Sequence, residues 1–222
     1  MSPAASNPDT SITVKVCGLT RAEDVECARS LGANYFGFIG YRPSPRSLEL
    51  SLLGDLARSV PEDRRVFVDV EPSTETIKTA QSLGFKQFQL HFTLDAGEVL
   101  LPEWSKWIAP EDLWLAPRLP ESASFPDSIL KCARTVLIDS YSEQSAGGTG
   151  VTGDWQGFSA LQEKFKTARF VLAGGLNSGN ICEAVGASGA SFVDVNSGVE
   201  YAPGLKDPKR MAAFFDALHL RS

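Results

Sequence analysis

This sequence predicts an α/β chain whose eight parallel strands close into a barrel, on three observations. Short β-rich runs alternate with stretches that carry apolar residues at three- and four-residue spacing. The alternation repeats eight times within 222 residues, which suits a compact single-domain (β/α)8 TIM barrel. The turn after the first strand reads Cys17-Gly18-Leu19-Thr20, without the G-x-G-x-x-G that an open dinucleotide-binding sheet places there. An open doubly wound sheet is the competing architecture.

The elements follow in order. Residues 1–10 are rich in Ser, Pro, Ala and Asn and read as a flexible N-terminal tail, with the barrel domain expected over 11–222. The β-rich runs predict strands at 12–17, 35–39, 65–70, 87–91, 113–117, 135–139, 169–173 and 191–195. Helical spacing predicts helices at 22–31, 48–59, 73–83, 95–101, 155–165, 178–185 and 208–218. The stretch 119–130 contains Pro120 and Pro126 and has room only for a short helix.

Composition narrows the function. Lys and Arg number 21 against 27 Asp and Glu, a net charge of −6. A broad nucleic-acid surface is therefore not expected, whereas a small anion held by local donors is. Cys17, Cys27, Cys132 and Cys182 form no C-x-x-C pair, and only His91 and His219 are histidines. That argues against a zinc cluster or a disulfide framework and for a reducing compartment. The opening MSPAASNPDTS lacks the basic and apolar regions of a secretory signal, and no apolar run reaches the roughly 18 residues of a membrane span. A soluble cytoplasmic protein without nucleic-acid or membrane partners is the expectation.

In a barrel of this kind the functional groups sit at the C-terminal ends of the strands. Alternation in the first strand sets Val14 and Val16 toward the helices and Lys15 and Cys17 into the barrel. A small buried thiol is the plain role for Cys17, but a lysine about 6.6 Å away along the strand favours a thiolate. The sixth strand ends at Asp139, inward by the same parity; capping a loop backbone is the equal alternative on this segment alone. Gln89 and His91 share one face of the fourth strand and can line a pocket.

The seventh strand runs into Gly174-Gly175-Leu176-Asn177-Ser178 and the eighth into Asn196-Ser197-Gly198-Val199-Glu200. Glycine-containing loops at these two positions match the phosphate cradle common in this fold. After the second strand, two prolines stiffen Tyr41-Arg42-Pro43-Ser44-Pro45-Arg46, which can present an arginine to a carboxylate. The loop at 145–150 reads as a flap or a linker. Cys27, Cys132, Cys182, His219 and the dispersed tryptophans read as core or solvated residues.

The strand ends taken together resemble one family. Val14-Lys15-Val16-Cys17-Gly18-Leu19-Thr20, Ser44-Pro45-Arg46, Gln89-Leu90-His91, Leu137-Ile138-Asp139-Ser140, Gly147-Gly148-Thr149-Gly150, Ala173-Gly174-Gly175-Leu176 and Val193-Asp194-Val195-Asn196-Ser197-Gly198-Val199-Glu200 are similar, in order, to the phosphoribosylanthranilate isomerases of tryptophan biosynthesis. The resemblance implies an Amadori rearrangement of N-(5-phosphoribosyl)anthranilate to 1-(2-carboxyphenylamino)-1-deoxyribulose 5-phosphate, with no cofactor and no metal. It implies Asp139 as general acid and Cys17 as general base. Arg46 would hold the anthranilate carboxylate, and Gln89, His91 and Asp194 would contact substrate. Gly174, Gly175, Asn196, Ser197 and Gly198 would hold the phosphate. The partner is a small phosphosugar, and the chain is expected to be a monomer or homodimer.

The sequence departs from the family at Gly40, Asp69, Phe92 and the segment Trp114-Leu115-Ala116-Pro117-Arg118, which bears on substrate fit and the lower pocket wall. Three alternatives therefore accompany the reading. One is a phosphosugar isomerase of altered specificity. Another is the related histidine-pathway isomerase, which has an aspartate where Cys17 stands. The third is a noncatalytic phosphosugar-binding barrel, which would need neither Cys17 nor Asp139.

Overall fold

The computed structural model describes residues 12–119, 125–139 and 154–219 and is a closed barrel of eight parallel strands in sequence order. The tail expected over 1–10 and the loop at 145–150 lie outside the described residues. The strands are β1 (Thr13–Val16), β2 (Tyr35–Ile39), β3 (Arg65–Val70), β4 (Gln87–Thr93), β5 (Leu113–Arg118), β6 (Thr135–Asp139), β7 (Arg169–Ala173) and β8 (Phe192–Val195). The helices are α1 (Ala22–Ser30), α2 (Leu50–Ala57), α3 (Thr74–Ser82), α4 (Leu94–Trp104), α5 (Trp155–Lys164), α6 (Ile181–Ser188) and α7 (Pro208–His219). Between β5 and β6 the described helix is a 3-10 turn, Asp127–Lys131, in line with the prolines there. β8 closes on β1 in the register Lys15↔Asp194 and Val16↔Val195, which excludes the open sheet. No helix among the described residues is long and apolar enough to cross a membrane.

Strand alternation sorts the apolar residues into two cores. Val14, Val16, Phe36, Phe38, Phe67, Phe88, Leu90, Leu115 and Val136 belong to the layer between barrel and helices. Val66, Val68, Trp114, Leu137, Val171 and Phe192 fill the barrel with Cys17. Tyr35, Trp114 and Phe192 pack edge-to-face and stacked, with centroids 4.9–5.4 Å apart, and plug the interior. With that plug in place, an internal ligand has room only toward the C-terminal mouth.

This sorting puts most of the departures outside the pocket wall, whereas Trp114 and Ala116 of the fifth-strand segment face the barrel interior. Phe92 is buried outward against Trp104, with ring centroids 5.8 Å apart. Asp69 and Pro117 share the outward parity of Phe67 and Leu115 on their strands. A methyl group at Gly40 would strike the outward Phe67 ring at 2.5 Å. Gly40 and Asp69 line a separate open groove of about 530 Å³ beside the β2 and β3 loops.

Two helix boundaries and one added hairpin have local reasons. α4 runs through Pro102 to Trp104 because burial of Trp104, whose Nε1 donates to the Pro72 carbonyl at 3.2 Å, rewards another turn. α6 starts at Ile181 rather than Ser178. Asn180 Oδ1 accepts from Asn177 N and Asn177 Oδ1 from Gly179 N, both at 2.8 Å, so side chains satisfy the donors ahead of the helix. A hairpin after β8, β9 (Glu200–Ala202) with β10 (Leu205–Lys206), was not anticipated. Its strands are too short for a period-2 signal.

Candidate active site

At the C-terminal mouth lies a cavity of about 220 Å³. Cys17, Asp139 and Asp194 reach it from β1, β6 and β8. Gln89 and His91 reach it from β4. Gly174 and Gly175 after β7, and Asn196, Ser197 and Gly198 after β8, complete the wall. Every site residue expected from the sequence except Arg46 therefore lines one cavity. Cys17 is buried, whereas Asp139 stands exposed at the rim, separated from β1 by β7 and β8.

The inward lysine is accommodated by a missing side chain. A Cβ on Gly37 would fall 2.8 Å from Cys17 Sγ and 2.9 Å from Lys15 Nζ, so thiol and ammonium share the space that Gly37 leaves. Lys15 is fully buried, and its Nζ donates to Asp194 Oδ1 at 2.9 Å. Burial works against this ammonium, but Asp194 and Cys17 outweigh it and hold the lysine pKa above its ordinary value.

Lys15 lowers the thiol pKa as expected, but the net shift is upward. Burial pushes the Cys17 thiol up; Lys15 pulls it back without cancelling the rise, and the Asp194 charge adds to it. In this state Cys17 is a thiol held beside a cation that is already paired.

On the opposite wall, Gln89 Nε2 and His91 Nε2 lie 3.0 Å apart in a hydrogen bond. Burial, with Lys15 and Arg118 nearby, lowers the His91 pKa to about 4, so the ring is neutral at neutral pH. The Gln89 amide oxygen is buried without a hydrogen-bond partner among the described residues. An unsatisfied buried acceptor is costly, and a donor on a ligand would relieve it.

The two glycine loops are built against each other. Gly174 (φ 96°) and Gly175 (φ 62°) adopt left-handed conformations that favour glycine, turning the backbone at the mouth. A Cβ on Gly198 would overlap the Leu176 carbonyl, so the turn after β8 rests directly on the loop after β7.

Arg46 does not extend its guanidinium freely from the proline loop. Its Nε and Nη2 donate to the Glu200 carboxylate at 3.0 and 2.7 Å. Its stem crosses Gly18, where a Cβ would come within 2.9 Å of Arg46 Cδ. The fork edge formed by Nε and Nη2 is thus taken; Nη1 and the second hydrogen of Nη2 form the edge left for a carboxylate. Glu200 and Lys206, both buried, were missed as functional residues. The loop composition shows two charges there, but only the hairpin brings them together.

Residues 14–217 match the family model for N-(5'-phosphoribosyl)anthranilate (PRA) isomerase. A relative of that name from Sinorhizobium fredii is 37% identical over 210 residues, covering 92% of each chain. One from Synechococcus elongatus is 32% identical over 216 residues, covering 93% of this chain and 96% of the relative. Among solved structures, TrpF from Jonesia denitrificans superposes with a TM-score of 0.77 at 29% identity, covering 94% of this chain and 97% of that one.

Proposed function

The chain belongs to the N-(5'-phosphoribosyl)anthranilate isomerase family, and from that premise we propose that its barrel mouth performs the Amadori rearrangement of N-(5-phosphoribosyl)anthranilate in tryptophan biosynthesis. The observation that carries this reading is one cavity faced by a buried thiol, a rim carboxyl group and two glycine loops. A solved phosphoribosylanthranilate isomerase at 26% identity and TM-score 0.71 is in complex with reduced 1-(o-carboxyphenylamino)-1-deoxyribulose 5-phosphate, covering 94% of this chain and 98% of that one. A ligand of that chemistry has a phosphate at one end and a carboxylate at the other.

The loops carrying Gly174, Gly175, Asn196, Ser197 and Gly198 take the phosphate through backbone N–H groups, and the open edge of Arg46 takes the anthranilate carboxylate. Asp139, in its protonated form, gives its proton to the furanose oxygen. The C1–O bond breaks, and the nitrogen lone pair makes the C1–N bond double, leaving an iminium cation. Cys17, as thiolate, removes the C2 proton, and the C2–H electron pair forms the C1–C2 double bond while the C1–N π pair returns to nitrogen. The resulting enolamine tautomerises to the ketone. Each proton transfer contributes on the order of 10²–10⁴-fold. The thiol, raised in the free site, is assisted in the complex by the cationic iminium arriving beside it. Asp194 on β8 and the Gln89–His91 pair on β4 bind sugar hydroxyls in this reading, supported by their place in the cavity lining and by the orphan Gln89 oxygen, which can accept.

Of the departures from the family, Phe92, Asp69 and Pro117 face away from the cavity and Gly40 lines the separate groove, which supports the family substrate over one of altered specificity. The enzyme is proposed to act in the cytoplasm as a monomer or homodimer. Turnover of N-(5-phosphoribosyl)anthranilate, followed by loss of anthranilate-type fluorescence, tests the function. Turnover of the histidine-pathway aminoaldose instead, or of neither compound, would replace it with the other isomerase or with a binding protein.

A further inference from the structure

Two substrate-end sites are tied together by a buried charge that lies outside the cavity itself. Lys206, on β10, is fully buried. Its Nζ donates to the Asn196 carbonyl at 3.1 Å and to Asn196 Oδ1 at 2.8 Å. It also donates to Glu200 Oε1 at 2.9 Å. Glu200 Oε2 in turn accepts from Arg46 Nη2 at 2.7 Å. An unbroken chain of charge-assisted bonds thus runs from the residue that opens the β8 glycine loop to the arginine of the loop after β2.

The chain is anchored at its far side. The Lys206 backbone N–H donates to Asp24 Oδ2 at 3.3 Å, and its carbonyl accepts from Arg21 Nη2 at 3.2 Å, fastening β10 to the start of α1. Gly204 N donates to Glu200 Oε1 at 3.2 Å, closing the hairpin around the carboxylate. Burial opposes the Glu200 charge, but Arg46 and Lys206 hold its pKa below the ordinary value. A displacement of Asn196 therefore shifts Lys206, and Glu200 and Arg46 must follow, because a buried carboxylate left with fewer donors is penalised.

We propose that Lys206 is a positioning residue which couples the two ends of the site: through Asn196 on one side and Glu200 on the other, it makes phosphate binding at the β7–β8 loops and carboxylate binding at Arg46 mutually reinforcing. The proposal rests on the assignment of those two ends made above. Its function is recognition of the whole substrate, since a fragment carrying one end alone orders the network without gaining the contacts of the second end.

Anthranilate and inorganic phosphate probe the ends separately. Anthranilate binding is titrated by its fluorescence with and without saturating phosphate, and phosphate binding with and without anthranilate by calorimetry. In the wild-type protein each ligand tightens the other at least about fivefold, by the same factor in both directions. In Lys206→Met, and in the shape-preserving Glu200→Gln, circular dichroism stays native and the factor falls to about one. A merely structural role would lower both affinities and the melting temperature while leaving the factor unchanged, and that outcome overturns the proposal, as does an uncoupled wild-type protein. Arg46→Ala separates the two layers of argument. If it binds anthranilate as well as wild type, the assignment of the ends fails; if it loses anthranilate while Lys206→Met and Glu200→Gln keep the coupling, only the linkage fails.

Discussion

Gly37→Ala is the most searching perturbation of the proposed base. The added carbon would sit 2.8 Å from Cys17 Sγ, 2.9 Å from Lys15 Nζ and 3.0 Å from Cys17 Cα. Favourable non-bonded separation begins near 3.5 Å, so the sulfur must retreat by about 0.7 Å. The backbone cannot absorb this readily, because β1 is paired on both sides, with β2 and β8. Such overpacking costs about 1–3 kcal/mol of stability, which leaves a domain of ordinary stability folded. A reacting group misplaced on this scale loses on the order of 10² in rate. The loss should fall on kcat more than on KM, because the three atoms nearest the new methyl group belong to Cys17 and Lys15 and not to Arg46 or the glycine loops. The assay is steady-state kinetics beside a thermal melt. A folded Gly37→Ala protein whose kcat stays within about twofold of wild type would refute the argument that the thiol's position at this wall matters to the reaction.

Four further outcomes are expected. Cys17→Ser and Asp139→Asn should each lower kcat by at least about 10² with native circular dichroism, whereas near-normal turnover in either would remove that residue from the mechanism. Because the free thiol is raised, wild-type kcat/KM should climb with pH through neutrality, and Lys15→Met should push that limb to still higher pH, since burial then acts without the opposing cation; an unmoved limb would sever Lys15 from Cys17. Arg46→Ala should cost about 1.5–3 kcal/mol in kcat/KM, with Arg46→Lys restoring only part because an ammonium lacks the second edge of the fork; unchanged kinetics would take Arg46 out of the site. Asp69 supplies a control remote from the reaction, as burial raises its pKa from 3.8 to about 6. Its folded pKa lies above the unfolded value, so stability is lost as pH rises from 3.8 to about 6. Asp69→Asn should remove that dependence and gain at most about 3 kcal/mol at neutral pH, less where solvent reaches the carboxyl group; parallel stability profiles of the two proteins would contradict it.

What the sequence alone determined is what depends on local geometry. Strand parity is a property of consecutive residues, so the order of residues in the chain is enough to turn Lys15 and Cys17 inward and Val14 and Val16 outward. The eightfold alternation led to the barrel, and the barrel located Asp139 and the two glycine loops at its mouth. The chemistry of each group within the site was decided elsewhere. Lys15 meets Asp194 across 179 residues, and Arg46 meets Glu200 across 154. Those partners exist only because β8 closes on β1 and a short hairpin folds over the junction. Closure also supplies the burial that raises the Cys17 thiol, reversing the effect expected from the neighbouring lysine. The same parity turns Asp69, Phe92 and Pro117 outward; only the packed helix layer shows that this outward side is remote from the cavity. Side-chain direction is set within a strand, whereas a charge's partner and its solvent are set by which distant segments the closed barrel brings against it.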